Sequence, residues 1–424
     1  MKREKYFTLN KNCFLIKGAK RGAIYDLESG NVFSVNEVSV KILEELDSWK
    51  EFKQVFQEDK NITEGKLVIY LNKLKKLGLG EWSEIYREKL NVIPKPIDVL
   101  KFVLHLELTT GCNLCCVHCY NESEITKFRK NNNLSLNEWK RIIKEAYEIG
   151  CRRVQFIGGE PFLKRRLLYT SILLAREIGY TSIEVSTNGT LITEKDLDFL
   201  KENTVSLAFS VYSYNSNVHD AITAKKGSQK QTLRTIKRAL EMDINFRISV
   251  VAMRQNEKEI KKTVKFLKSL GIQHVKTNTV EPVGRGCNDN LITADIVDQQ
   301  ILDRPSFFKI NYNTFWRNKL GHNCFLEHIC IAADGNIYPC LAEREISYGN
   351  IKSTPLNEIF SSEIAQNFRN LNKDYIEVCR DCEYRYCCFD CRVKARDSLI
   401  NSFYTKSWWC FYDPYKGQWH KKIN

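Results

Sequence analysis

The spacing of the cysteines constrains this chain more than any other feature. Of its 16 cysteines, three follow a Cys-x3-Cys-x2-Cys pattern at Cys112, Cys116 and Cys119, and nine lie between Cys324 and Cys410, both included. Three thiolates can hold three corners of a 4Fe-4S cube and leave the fourth iron open to a small molecule that binds through nitrogen and oxygen. The pattern therefore predicts a reactive iron centre.

Two other interpretations of this segment are a zinc site built from the three cysteines and His118, and a group of buried thiols. The usual zinc spacings differ from Cys-x3-Cys-x2-Cys. The iron-sulfur interpretation is therefore favoured.

The composition bounds the class of protein. A chain of 424 residues with 43% hydrophobic and 27% charged residues predicts an ordinary globular protein of two or three domains. No apolar run reaches the roughly 18 residues of a membrane span, and the first residues lack the apolar stretch of a signal peptide. We therefore expect a cytoplasmic protein without membrane contact, in which 16 cysteines serve metal or redox chemistry and not disulfides.

The formal net charge is +14, with Lys and Arg scattered along the chain. Basic residues of this kind usually lie on solvent-exposed surfaces. A more specific interpretation is a surface that binds an acidic peptide or an acidic electron donor. No basic stripe interleaved with aromatic residues is present, so nucleic acid is not an expected partner.

Residues 1–85 predict strands followed by helices. Short apolar stretches, including Cys13–Ile16 and Asn31–Val35, alternate with turns that contain glycine. Helical spacing follows and predicts two apolar faces, one formed by Ile42, Leu43, Leu46 and Trp49, the other by Leu67, Tyr70, Leu71, Leu74 and Leu77. This order predicts a small winged-helix-like α+β domain.

A polar, proline-containing stretch at 86–99 predicts a linker, and beyond it strand and helix patterns alternate. Alternation of this kind predicts parallel strands with crossover helices, here a partial (β/α)6 barrel over 100–285 in an α/β protein. Ligands of such folds bind at the carboxyl ends of the strands. A bridging region at 286–323 and a cysteine-rich domain at 324–424 complete the predicted organisation. The candidate strands are Phe102–Leu108, Arg153–Ile157, Ile183–Thr187, Ser206–Val211, Phe246–Ala252 and His274–Thr279.

The segment from Cys112 to Cys119 resembles the signature of the radical S-adenosylmethionine (radical SAM) enzymes, whose fourth iron is chelated by the amino and carboxylate groups of SAM. The resemblance implies reductive cleavage of SAM to a 5'-deoxyadenosyl radical that abstracts hydrogen from a substrate. It makes Cys112, Cys116 and Cys119 both metal ligands and catalytic residues.

Further segments resemble the SAM-binding motifs of the same family. Gly158-Gly159-Glu160-Pro161 follows the second candidate strand and is similar to the motif that receives the methionine amino group. A carboxylate accepts hydrogen bonds from an amine, and glycines let the backbone approach a ligand closely. The resemblance also implies contacts to SAM from the strand ends at Ser186, Asn188 and Ser210, and from His118 near adenine.

The carboxy-terminal cysteines resemble the SPASM extension of radical SAM maturases, which holds two auxiliary 4Fe-4S clusters. The resemblance implies one cluster ligated by Cys324, Cys330, Cys340 and Cys391, and a second ligated by Cys379, Cys382, Cys388 and Cys410. Neither has an open iron in this scheme, so electron transfer is their expected role. The chain is one residue shorter than the family pattern here, which leaves Cys387 and Cys388 as alternative ligands.

Zinc knuckles are the other interpretation of the Cys-x2-Cys pairs in this region. An upstream radical SAM signature argues against them. Outside the two groups of ligands, the remaining cysteines are expected to be small buried hydrophobic residues, namely Cys13, Cys115, Cys151, Cys287 and Cys387.

The amino-terminal pattern resembles the domain that recognises leader peptides of ribosomally made, modified peptides; a structural cap and a nucleic-acid-binding winged helix remain alternatives. Together the resemblances imply a maturase that abstracts hydrogen from a precursor peptide and forms a thioether, ether or carbon-carbon crosslink. They imply SAM and three 4Fe-4S clusters as cofactors, and a flavodoxin- or ferredoxin-like electron donor.

Two other functions stay open at this point. An anaerobic sulfatase-maturating enzyme oxidises a single Cys or Ser, and that group carries an Asp after the cysteine matching Cys340, where this chain has Leu341. A non-catalytic iron-sulfur or zinc scaffold is the alternative from another class. The sequence does not identify the precursor peptide, the modified residue or the bond formed.

Overall fold

The computed structural model describes residues 5–48, 50–58, 63–86, 103–126, 133–293, 310–322, 324–395 and 402–420. The chain divides into two units, which we call the composite unit (1–99, 301–323 and 370–424) and the barrel unit (100–300 and 324–369). Most of the predicted linker and part of the predicted bridging region lie outside the described residues. The domain boundaries given above remain predictions.

The amino-terminal part of the composite unit has the predicted order of strands and then helices. Its strands are β1 (Tyr6–Leu9), β2 (Cys13–Lys17), β3 (Gly22–Asp26), β4 (Asn31–Val35) and β5 (Gly80–Ser83). Strands β2, β3 and β4 form an antiparallel sheet in that order, and β1 pairs with β5. The helices are Glu37–Asp47, Phe52–Glu58 and Glu64–Lys76.

Local sequence explains where two of these helices begin. The side chains of Asn36 and Thr63 accept hydrogen bonds from the first-turn amides of Ser39 and Lys66, which satisfies donors that have no partner inside the helix. The predicted apolar faces are buried, apart from Leu77, which follows the last helical residue and is 48% exposed. Tyr70 is half-buried at the edge of its face, and Trp49 lies outside the described residues.

The barrel unit contains six parallel strands in chain order, each within about one residue of its predicted position at either end. They are β6 (Val103–Glu107), β7 (Arg153–Ile157), β8 (Ser182–Thr187), β9 (Ser206–Ser210), β10 (Phe246–Ala252) and β11 (Val275–Thr279). The intervening helices are Leu136–Glu148, Arg165–Ile178, Glu194–Glu202, Ser216–Thr223, Ser228–Glu241 and Ile260–Ser269. The predicted α/β fold with a partial barrel is confirmed.

Successive side chains along each strand point to opposite faces of this sheet. Residues such as Leu104, Phe156 and Val185 are fully buried in one core with the helices. On the opposite face of β8, Ser186 accepts a hydrogen bond from Gln155 Nε2 at 2.8 Å, so that face carries polar side chains up to the strand ends.

The cysteine-rich segment extends the same sheet, which the sequence did not predict. Strand β12 (His328–Ile331) lies parallel beside β6, and β13 (Asn336–Tyr338) and β14 (Gly349–Asn350) follow antiparallel. Helices Leu356–Ser361 and Glu363–Arg369 pack against the barrel core. The result is a nine-stranded sheet among the described residues.

The rest of the composite unit packs on the β2-β3-β4 sheet. It contains helices Tyr312–Leu320 and Arg392–Ala395 and the hairpin of β15 (Tyr412–Asp413) and β16 (Gln418–Trp419). Phe14 stacks on Phe315 with ring centroids 5.0 Å apart, and Tyr25 donates to the carbonyl of Glu383 at 2.8 Å. In the part of the chain that the structure describes, no helix is long and apolar enough to span a bilayer.

Candidate active site

A cavity of about 280 Å³ opens in the barrel unit, where strands β6 to β11 end. It brings together most of the residues predicted for the SAM site, namely Cys112, Cys116, His118, Cys119, Gly158, Gly159, Ser186, Asn188 and Ser210. Glu160 and Pro161 lie outside its lining. Residues that the sequence did not single out also line it, among them Tyr120, Tyr212, Asn278 and Glu281.

The segment from Gly111 to Glu124, which we call the cysteine loop, closes on itself. The amide of Cys112 donates to the carbonyl of Glu124 at 3.1 Å. Two further amides point at sulfur: Leu114 donates to Cys112 Sγ at 3.4 Å, and Ser123 donates to Cys119 Sγ at 3.3 Å. Donors of this kind stabilise a thiolate once a cationic centre binds it.

Burial controls the charge of the Cys112 and Cys116 thiols. It raises the pKa of Cys112 to about 12, with the carboxylate of Glu160 as the next cause, and it raises the pKa of Cys116 together with the neighbouring Cys119. The thiols of Cys112 and Cys116 therefore need a positive centre to ionise at neutral pH. Among the described residues, no three or more His, Cys, Asp or Glu side chains converge on a single-ion site.

Arg285, from the segment after β11, holds the cysteine loop closed. Its Nε donates to the carbonyl of Cys116 at 2.8 Å and its Nη2 to the carbonyl of Ser123 at 2.9 Å. Its charge also lowers the pKa of Cys116 against the larger effect of burial. Sequence reasoning missed this residue, because nothing near Arg285 in the chain marks a partner about 170 residues away.

Gly159 and Glu160 of the Gly-Gly-Glu-Pro motif join the end of β7 to the segment that leads into the cysteine loop. Gly159 donates to the carbonyl of Thr109 at 2.7 Å, and Glu160 donates to that of Gly111 at 2.9 Å. A Cβ atom on Gly159 would lie 1.9 Å from the Gly111 oxygen, far inside van der Waals contact. Glycine at this position is therefore required by the approach of the two backbones, whereas the sequence suggested approach to a ligand.

Glu160 is fully buried behind the cavity. Its carboxylate accepts hydrogen bonds from the Phe162 amide at 3.1 Å, the Thr187 hydroxyl at 2.9 Å and the Asn188 amide at 2.9 Å. Burial raises the pKa of this carboxyl to about 7. These contacts fix the end of β8 relative to β7, while the predicted contact of Glu160 with the SAM amino group stays a prediction.

The loop after β8 is hydrogen-bonded to the cysteine loop. Asn188 Nδ2 donates to Asn113 Oδ1 at 2.9 Å, and Asn113 Nδ2 donates to Thr190 Oγ1 at 2.8 Å. Asn188 Nδ2 also lies 3.8 Å from the sulfur of Cys112. Cys112 and Asn188 are thus held side by side at the mouth of the barrel.

An aromatic pair forms one wall of the cavity. The ring of His118 lies edge-to-face on Tyr212, with centroids 4.7 Å apart. Burial lowers the pKa of His118 to about 4, so its ring is neutral at pH 7. The backbone amide of Tyr212 donates to His219 Nδ1 at 3.2 Å, and Tyr212 lines the cavity together with Ser210 and Cys116.

The cavity fits the cofactors that the sequence implies. Its thiols are soft ligands suited to iron-sulfur chemistry. His118 Nδ1 is buried and has no hydrogen-bond partner among the described residues, and a buried polar atom of this kind favours a polar ligand. The three cysteines would hold the cluster, and the wall of His118 and Tyr212 would lie against a bound nucleoside.

The barrel unit also contains three of the predicted auxiliary ligands. Cys330 is fully buried on β12, opposite Tyr338 of β13, and Cys340 follows two residues later. Cys330 and Cys340 interact electrostatically, and Cys324 precedes β12. Cys391, the fourth predicted ligand, belongs to the composite unit.

The second predicted ligand set lies within the composite unit. Cys379, Cys382 and Cys388 interact electrostatically with one another, and Cys410 interacts with Cys388 and Cys379. Cys387 instead donates to the carbonyl of Tyr384 at 3.3 Å and accepts from the Tyr25 hydroxyl at 3.5 Å. This arrangement favours Cys388 over Cys387, although ligation itself remains a prediction.

The cysteines without a predicted ligand role divide into two groups. Burial is confirmed for Cys13, Cys151 and Cys387. The prediction is wrong for Cys115 and Cys287, which are exposed. Cys115 lies in an irregular segment and Cys287 ends the short 3-10 helix Gly284–Cys287, and in neither place does apolar packing decide the orientation of the side chain.

Comparison with known proteins agrees with this geometry. Residues 106–267 match the radical SAM superfamily, and residues 324–383 match the iron-sulfur cluster-binding domain called SPASM. The chain contains a radical SAM domain and a SPASM domain. The prediction of an enzyme is confirmed, and a non-catalytic scaffold is set aside.

Two relatives of this chain carry the names of different kinds of enzyme or biosynthesis protein. The AdoMet-dependent heme synthase of Methanosarcina barkeri is 28% identical over 73% of this chain and 96% of its own length. The subtilosin biosynthesis protein AlbA of Bacillus subtilis is 27% identical over 75% of this chain and 71% of its own length.

A solved structure shares the fold of this radical SAM enzyme. SuiB of Streptococcus suis, bound to S-adenosylmethionine, superposes with a TM-score of 0.56 at 16% identity. The match covers 95% of this chain and 99% of SuiB. At this identity the likeness concerns the fold alone.

Proposed function

We propose that this radical SAM enzyme is a maturase of a ribosomally synthesised precursor peptide. It abstracts hydrogen from the peptide and forms an oxidative crosslink, a thioether, an ether or a carbon-carbon bond. Residues 1–85 grip the leader of the precursor, and the core peptide enters the barrel. A leader bound nearby raises the effective concentration of a weakly held core.

The observation that carries the proposal is a groove in the composite unit. It has a volume of about 650 Å³ and runs between β2, helix Glu37–Asp47 and helix Tyr312–Leu320. Strand β2 is an outer strand of its sheet. An extended peptide can add to such an edge through its backbone and place alternate side chains in apolar pockets.

The groove combines apolar and charged side chains. Leu15 and Trp316 contribute apolar surface, while Lys17 and Lys319 contribute positive charge. Lys17 is paired with Glu44 at 3.0 Å, which also lines the groove. Asp47 also lines the groove, so the two lysines are balanced by two carboxylates. This surface suits a peptide with apolar residues at alternate positions.

The relatives support a peptide substrate. SuiB has been solved bound to its precursor peptide SuiA, and AlbA acts in the biosynthesis of the bacteriocin subtilosin. We extend the same class of substrate to this enzyme.

The proposed cofactors are SAM and three 4Fe-4S clusters. Bound SAM supplies a carbon radical that removes hydrogen from carbon. The chain's own residues hold the reactants: Arg285 keeps the cysteine loop closed, and Asn188 lies beside Cys112. The reducing electron comes from a flavodoxin- or ferredoxin-like donor in this proposal.

A tetrapyrrole is the rival substrate, because the heme synthase of M. barkeri is 28% identical to this chain. The sulfatase-maturating alternative is weaker, since Leu341 occupies the position where that group has an Asp. A tetrapyrrole carries no leader peptide that could bind in the groove. The two candidate substrates can therefore be distinguished by a direct test.

The test is a product mass measurement. The reconstituted enzyme, SAM and reductant are incubated anaerobically with each short peptide encoded beside its gene, and in parallel with an iron coproporphyrin. A maturase yields a peptide lighter by one or more pairs of hydrogen atoms and leaves the porphyrin spectrum unchanged. Conversion of the porphyrin with unmodified peptides would instead establish the rival.

A further inference from the structure

A buried ion pair joins strand β6 to the segment that follows Cys340. Glu107, the last residue of β6, is 1% exposed, and its carboxylate accepts hydrogen bonds from both terminal nitrogens of Arg344. The Tyr120 hydroxyl donates to the same carboxylate at 2.8 Å. A bidentate pair of this kind fixes both the charge and the orientation of the guanidinium.

The guanidinium is confined on its other sides. It lies over the rings of Tyr120 and Tyr338, 5.3 Å and 5.0 Å from their centroids, and its Nε donates to the carbonyl of Leu341 at 2.9 Å. Stacking between aromatic rings keeps water away from the charge, which strengthens its interactions with nearby groups.

The same guanidinium points towards a predicted cluster ligand. Cys330 pairs with Tyr338 across β12 and β13, so their side chains lie on one face of the sheet, where the guanidinium of Arg344 covers the Tyr338 ring. The charge of Arg344 opposes the rise in the Cys330 pKa that burial causes. The negative charge of Glu107 has the opposite effect and raises the pKa of Cys330. The ion pair therefore sets two opposed charges beside one sulfur.

We propose that Arg344 sets the reduction potential of the first auxiliary cluster and that Glu107 holds Arg344 in place and limits its effect. A cation beside a ligating sulfur stabilises the reduced, more negative cluster and so raises its potential. A nearby buried anion lowers the potential. The proposal rests on ligation of that cluster by Cys330 and Cys340, not on the identity of the peptide.

The test is a redox titration followed by electron paramagnetic resonance, in full-length protein whose Cys112, Cys116 and Cys119 are replaced by Ala to remove the first signal. Arg344→Gln should lower the potential of the first auxiliary cluster, because the cation is lost and the anion remains. Glu107→Gln should raise it, because the cation then acts alone. The second auxiliary cluster is the internal reference and should keep its potential in both variants.

Arg344→Lys provides the second arm, because it keeps the charge but loses the paired geometry. Its potential should fall less than that of Arg344→Gln. If Arg344→Gln fails to hold its cluster, the opposite shifts expected for Arg344→Lys and Glu107→Gln decide the matter. Shifts of the same sign in the Arg344 and Glu107 variants, or no shift, would overturn the proposal and leave a merely structural ion pair. No peptide is present, so the result is independent of the proposed substrate.

Discussion

The Nε of Arg285 donates to the carbonyl of Cys116 at 2.8 Å, so a residue that follows the last barrel strand holds the cysteine loop that follows the first. The Arg285 side chain also donates to the carbonyl of Ser123, and the backbone amide of Arg285 donates to the carbonyl of Cys119 at 3.0 Å. One residue thus fixes the loop at three points. The loop geometry depends on the segment after β11 as much as on its own sequence.

Replacing Arg285 by Gln should weaken the first cluster. Two charge-assisted hydrogen bonds are lost, each worth roughly 1.5–3 kcal/mol, and the loop then opens more easily. We expect lower iron retention and slower SAM cleavage, measured as 5'-deoxyadenosine formed per chain. Arg285→Lys should not rescue, because a lysine cannot reproduce the planar fork.

Arg254→Gln is the matched control for Arg285. Its Nε also donates to a backbone carbonyl, that of Asn290, at 2.6 Å, but Arg254 is exposed and lies outside the cavity lining. This variant should retain iron and SAM cleavage. Equal losses in both variants would contradict a specific role for Arg285.

Gly159→Ala should disturb the contact between β7 and the cysteine loop. The new methyl group would meet the Gly111 oxygen at 1.9 Å, so one of the two backbones must move. We expect a loss of stability of about 1–3 kcal/mol and a marked loss of SAM binding, measured by denaturant unfolding and calorimetry.

Gly65→Ala is the control for this prediction. Gly65 lies in helix Glu64–Lys76 and has nothing within 4 Å of an added Cβ, so alanine should stabilise the helix by about 0.5–1 kcal/mol. Unchanged SAM affinity in Gly159→Ala would show that the overlap relaxes without moving the site.

The pair of Cys387 and Cys388 gives a third prediction. Cys388→Ser should remove the second auxiliary cluster and lower the iron content by about four atoms per chain, because each cube holds four irons. Cys387→Ser should keep the full iron content, since its sulfur faces Tyr25 and Tyr384. Iron analysis and resonance spectra of the two proteins distinguish them, and the reverse pattern would assign the ligand to Cys387.

Much of the barrel was predictable, because its signals are local. The hydrophobic period switches between strand and helix in each unit of the barrel, and the helix at Leu136–Glu148 carries its own capping box at Ser135 and Glu138. The cysteine loop and the glycine motif followed the strand ends as expected. These features depend on residues close together in the chain.

The unpredicted features depend on residues far apart. Arg285 meets Cys116, Arg344 meets Glu107, and β12 pairs with β6, each across more than about 160 residues. No periodicity or turn signal encodes such contacts. The sheet order of the cysteine-rich segment and the ion pair beside Cys330 therefore became visible only in the structure.

Deletion of residues 1–85 does not isolate the contribution of the groove to leader binding. Removing residues 1–85 would also remove Tyr25 and Phe14, which contact Glu383 and Phe315 in the same unit. The loss of this packing would disturb the segment that contains the second set of cysteines. A point substitution in the groove is the sharper experiment.

Leu15→Glu should weaken precursor binding by roughly 10- to 100-fold, which corresponds to the burial of one leucine side chain against the peptide. Leu15 lines the groove on the outer strand β2 and is half-buried, so the substitution adds charge where an apolar side chain is expected to dock. Ile69→Glu is the control, because Ile69 is 71% exposed and lies outside the groove. Calorimetry with the precursor peptide measures both affinities, and iron content checks that both proteins keep their clusters. Equal affinity of the Leu15 variant and the unsubstituted enzyme would move leader recognition away from this groove.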